Sequence, residues 1–102
     1  MRFEFGECYE VDWVMENTSP LCLDECHRQY LKRALKKGGY NVLNEFTDNE
    51  VRAVAAAIEY TVELLERLVA GQINGNQSII HLKRRIEILK KAHKRLAGLV
   101  AL

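Results

Sequence analysis

The sequence predicts a mainly α fold: an antiparallel helical hairpin, about 48–70 and 78–97, packed with a shorter helix at about 20–37 behind a short strand-like or irregular N-terminal segment. Three observations carry this prediction. Val51, Val54, Ile58, Thr61, Leu65 and Leu68 recur at the alternating three- and four-residue spacing of one helical face. Ile79, Leu82, Ile86, Leu89, His93 and Leu96 repeat that spacing. Between the two runs, "GQINGNQ" is a short string of turn formers, which most simply reverses the chain.

The elements follow in order. Phe3, Phe5, Tyr9, Val11 and Trp13 alternate with polar residues over 2–14, a period-two pattern that predicts one or two short strands, although "ECYEVDWVMEN" also winds as a turn or two of helix. The segment "TSPLCLDECHRQYLKRALKKGG" has Ser19 placed as N-cap, Pro20 in the first turn, Asp24 and Glu25 early, lysines late and Gly38 after the end. Its expected buried stripe is Leu23, Cys26, Tyr30 and Ala34, flanked by His27, Leu31 and Leu35. Thr47-Asp48-Asn49-Glu50 has the form of a capping box, with Phe46 and Val51 placed to staple the entry, and Gly71 offers a left-handed stop. The whole chain of 102 residues reads as one domain: 1–18 aromatic and acidic, 19–38 the first helix, 47–97 the hairpin.

Composition excludes several classes. Hydrophobic residues at 48% and charged residues at 28% are globular rather than disordered values. No window approaches a membrane span, and "MRFEFGECYEVDW" lacks the basic start and apolar run of a signal peptide, so a cytoplasmic protein with reduced thiols is expected. The net charge of +1 conceals segregation: residues 1–19 carry five acidic groups and one basic, and residues 72–102 carry seven basic and one acidic. Such blocks favour packing between segments or between copies as much as binding an external polyanion.

No catalytic residue is identified, because the chain shows no nucleophile–base pair and no phosphate loop. No cofactor is expected. Cys8, Cys22, Cys26 and His27 are the only cluster of soft ligands. Cys22 and Cys26 lie one helical turn apart, but the spacing is not Cys-x-x-Cys and His27 points about 100° from Cys26 on a helix. Buried structural thiols are therefore expected, with no metal. Glu59, Glu63 and Glu66 line one face of their helix without the Glu-x-x-His pairing of a di-metal bundle, and are expected to meet the basic last helix.

Two surfaces remain. The apolar stripe on the 48–70 helix is wider than one partner helix covers, which predicts self-association through Val51, Val54, Ile58, Leu65, Leu68, Ile86, Leu89 and His93. His93 has two readings, a core histidine or a residue stacked on its copy in a dimer. Lys83, Arg84, Lys90, Lys91, Lys94 and Arg95 form a basic face for a protein partner or, alternatively, for nucleic acid or an anionic nucleotide. Phe3, Phe5, Tyr9 and Trp13 are expected to cap the open end of the hairpin, with a binding anchor as the other reading. The sequence thus predicts no enzyme but a small, self-associating interaction or regulatory module with no membrane contact.

Overall fold

A computed structural model of the chain describes residues 1–18, 23–43, 46–71 and 77–101. Among them the fold is all-α, with α1 at Phe5–Asn17, α2 at Glu25–Lys37, α3 at Asp48–Ala70 and α4 at Gln77–Ala97. The expected hairpin is present: α3 and α4 share the most extensive contact, and Glu66 pairs with Lys90 while Glu59 faces His93, so the two run antiparallel.

The start of α3 is set by the expected local chemistry. Thr47 Oγ1 accepts from the Glu50 N–H at 3.2 Å, and Glu50 Oε1 accepts from the Thr47 N–H at 3.0 Å. Burial opposes the charge on Glu50, but bonds from the Thr47 backbone and the Tyr30 hydroxyl outweigh it and hold the carboxyl below the usual range. Gly71 ends the helix in a right-handed conformation, φ −80°, not the left-handed one expected, its N–H still reaching Arg67 O.

The N-terminal segment corrects the strand reading. Residues 5–17 form a 13-residue helix, opened by the Glu4 N–H donating to Glu7 Oε1 at 3.1 Å. The period-two pattern misled because it mixed both sides of this helix: Val11 points inward with Val14 and Met15, all wholly buried, whereas Tyr9 and Trp13 point outward. The residues before the helix are extended as far as Glu4. Residues 1–3 pair with 40–42 through Phe3 N–H to Tyr40 O at 3.2 Å and Val42 N–H to Met1 O at 2.9 Å, which seats Phe3 in the core.

The second correction concerns α2. Asp24, not Ser19, is its N-cap, with Oδ1 accepting from the His27 N–H at 2.7 Å; Ser19, Pro20 and Cys22 lie outside the described residues. Its buried face is the flank, Leu31 and Leu35, while Cys26, His27 and Tyr30 are exposed. A short edge helix packed chiefly on α1 buries a narrow strip, so the expected stripe is rotated by about one residue, or ~100°. After α2 the chain turns through Gly39 and Tyr40, both left-handed at φ 61° and 63°. The bulky Tyr40 is held there by its N–H to Leu35 O at 2.7 Å. Burial and the facing Asp12 carboxylate push its hydroxyl up to about 12.

Helix α1 touches α2, α3 and α4, and is the third element that the wide stripe required. It runs antiparallel to α4, since Glu4 and Glu7 meet Arg95 while Glu10 meets Arg85, and antiparallel to α2 through Glu16–Lys32 and Asp12–Lys36. Replacing wholly buried Met15 by Ala should cost about 2–5 kcal/mol of stability by denaturant titration, against a few tenths for Tyr9→Ala on the opposite face. Equal effects of the two would contradict the assigned orientation of α1.

Candidate interaction surfaces

The hairpin seam is interior. Val51, Val54, Ile58, Leu65, Ile86 and Leu89 are all buried in the core of the single chain, which removes them from the expected self-association surface. Val11, Val14 and Met15 of α1 cover the apolar area that the two hairpin helices alone leave bare. Of the eight residues expected at that surface, only Leu68, 54% exposed, and His93, half-buried beside Glu59, reach solvent.

The basic face divides into two sets. Arg95 is held by α1, its Nε 2.7 Å from Glu7 Oε1 and its Nη2 2.6 Å from Glu4 Oε1, and the hydrogen bond to Glu7 raises the guanidinium pKa further. Arg85 Nε donates to both Glu10 oxygens at 3.2 and 3.0 Å, and its guanidinium lies 4.2 Å from the Trp13 ring centroid. Lys90 pairs with Glu66 at 3.2 Å, as the complementary blocks predicted. Lys83, Arg84, Lys91 and Lys94 have no ion pair among the described residues and are all exposed. At about 100° per residue they share an arc of roughly 100° on α4, with Glu87 in its middle and exposed Ile80 beside it. The acidic α3 row therefore neutralises only the near edge of the basic helix.

A third surface was the less favoured reading of the aromatic residues. Phe3 is buried, but Phe5 at 91%, Tyr9 at 75% and Trp13 at 36% exposure stand four residues apart along the outer side of α1. They form a row rather than a cap on the hairpin. Its rim is electrically balanced, since Glu16 bonds Lys32, which holds the Glu16 carboxyl below the usual range, and Asp12 lies 3.6 Å from Lys36. Gly6 opens onto the same side, and a Cβ there would meet nothing within 4 Å.

Cys8 is half-buried, its thiol donating to Phe3 O at 3.3 Å and its pKa raised by burial, as a structural thiol would be. Cys26 is exposed, contrary to expectation, because the buried strip of α2 lies to one side of it. Among the described residues no group of His, Cys, Asp and Glu is arranged to hold a metal ion. Glu59, Glu63, Glu66, Lys90 and His93 line an open groove of about 330 Å³ whose charges are of both signs.

The sequence matches no known protein family, and neither curated proteins nor solved structures gave a match.

The buried joint between α1 and α4 makes a test of the split basic face. Arg95→Leu should lower the melting temperature by leaving the Glu7 carboxylate, 3% exposed, without its cation. The double variant Glu7→Leu/Arg95→Leu should recover much of that loss. Lys91→Leu should leave the melting temperature unchanged, and additive losses in the double variant would show that Glu7 and Arg95 are not coupled.

Proposed function

We propose that the protein is a cytoplasmic, self-associating interaction module, acting by contact rather than catalysis, which holds an acidic protein surface against the outer side of α4. The observation that supports this reading is the unpaired set Lys83, Arg84, Lys91 and Lys94, left over after Arg85 and Arg95 are taken up by α1 and Lys90 by α3. Lys83 with Arg84, and Lys91 with Lys94, each lie within about a Debye length on one helix face, and such pairs raise the local concentration of an anionic partner and steer its approach.

Two features favour a protein over nucleic acid. Glu87 stands in the middle of the arc, where a phosphate backbone would meet a like charge and a protein offers a base. Ile80, 58% exposed, supplies an apolar contact there, and α4 carries no Phe, Tyr or Trp to stack on a base. A cytoplasmic site accords with the half-buried Cys8 thiol, and no helix among the described residues is long and apolar enough to cross a membrane. By covering an acidic surface, the module would regulate or inhibit its partner.

Fluorescence anisotropy with a labelled oligoglutamate and with random-sequence duplex DNA, each at low and physiological salt, tests this. The expected result is binding of oligoglutamate that weakens with salt and is lost in Lys83→Glu/Lys94→Glu, a variant of unchanged melting temperature. Binding of neither probe would overturn the reading, and salt-dependent preference for DNA would replace the acidic protein by nucleic acid.

A further inference from the structure

The outer side of α1 is the surface this fold leaves most conspicuously uncovered. Phe5, Tyr9 and Trp13 occupy successive turns, so they share an arc of about 80° and a length of about 12 Å. Tryptophan and tyrosine are the residues on which binding energy concentrates, and three exposed aromatic rings in one row exceed what scattered surface apolar residues account for. With their exposures of 91, 75 and 36%, the three offer roughly 300–500 Å² for burial.

We propose that this row is a two-fold interface between copies of the chain, in which α1 crosses α1 of a second copy antiparallel, with Tyr9 on the axis. The proposal rests on the self-association in the preceding reading and gives it a place. The row is symmetric about Tyr9, so an antiparallel copy sets Phe5 against Trp13 of the second copy and Tyr9 against Tyr9. The same operation brings Gly6 level with Asp12 of the second copy.

Charge selects this occupant over a basic one. The carboxylates around the row are already matched within the chain, Asp12 by Lys36, Glu16 by Lys32, Glu10 by Arg85 and Glu4 by Arg95. A basic partner would have to compete with those cations, whereas two copies of a neutral face meet without like-charge repulsion.

Gly6 is the second, independent observation. Gly6 lies in the first turn of α1 on its outer side, and nothing in the chain crowds a Cβ at this position. A close approach by another helix uses the missing side chain. Two copies of the aromatic row bury roughly 600–1,000 Å², less than the roughly 1,200 Å² at which stable specific interfaces begin, which predicts a weak, reversible dimer.

Sedimentation equilibrium of the full chain over a wide concentration range, with melting temperatures in parallel, tests the interface. Wild type should dimerise reversibly; Tyr9→Ser should weaken the dimer by about tenfold or more, and so should Gly6→Gln, which adds bulk only to the outer side and leaves the melting temperature of the monomer equal or higher. A dimer unchanged by both substitutions would overturn this interface while leaving self-association standing. A chain that stays monomeric would overturn the interface and self-association together, with the acidic-partner reading of α4 decided separately by its own probes.

Discussion

Glu7 and Glu10 lie almost fully buried where α1 meets α4, and the rest of the fold is arranged around the requirement that buried carboxylates find cations. Arg95 answers Glu7 and Arg85 answers Glu10, ten residues apart on α4 and three apart on α1. These two fixed points set the antiparallel direction of α1. They also set its rotation: with Glu7 and Glu10 turned towards α4, Val11, Val14 and Met15 close over the hairpin. The remaining side, carrying Phe5, Tyr9 and Trp13, then faces solvent apart from the Arg85 guanidinium over the Trp13 ring. Apolar burial supplies the bulk of the stabilisation at this joint, and the ion pairs supply its register.

The same pairs decide what the last helix presents outward. A run of seven Lys and Arg residues reads from sequence as one continuous basic face, yet the fold uses Arg85 and Arg95 inward and leaves Lys83, Arg84, Lys91 and Lys94 outward. The selection is chemically sensible. Planar guanidinium groups hold carboxylates at the partly buried joint, and arginine also stacks over Trp13, whereas the strongly hydrated lysine ammonium groups predominate at the surface.

The hairpin was legible in the sequence because its signals were local or long. The Thr47–Glu50 capping box fixes a helix start through side chains three residues apart, and the three- and four-residue spacing persists from Val51 to Leu68, nearly five turns of α3. Helix α1 was legible only as the alternative to a strand, a turn or two of helix, because Tyr9, Val11 and Trp13 happen to alternate with Glu10 and Asp12, and thirteen residues are too few for the helical period to dominate. What separates Val11 from its neighbours is a tertiary fact, namely the position of α3 and α4. The exposed cluster on α4 was partly legible: the residue types were named, but which cations stay free depends on Glu7 and Glu10, 88 and 75 residues from their partners. The aromatic row was noticed as a concentration of side chains, and only the helix made it a face.

The central claim is that α1 belongs to the core rather than lying loosely on it, and native-state hydrogen exchange measures this directly. The account predicts that the amides of Val11, Val14 and Met15 exchange as slowly as those of Val54 and Ile58, through the same global opening. Fast exchange along α1 beside a protected α3–α4 hairpin would contradict it, since the apolar stripe of the hairpin would then lack its cover within the chain.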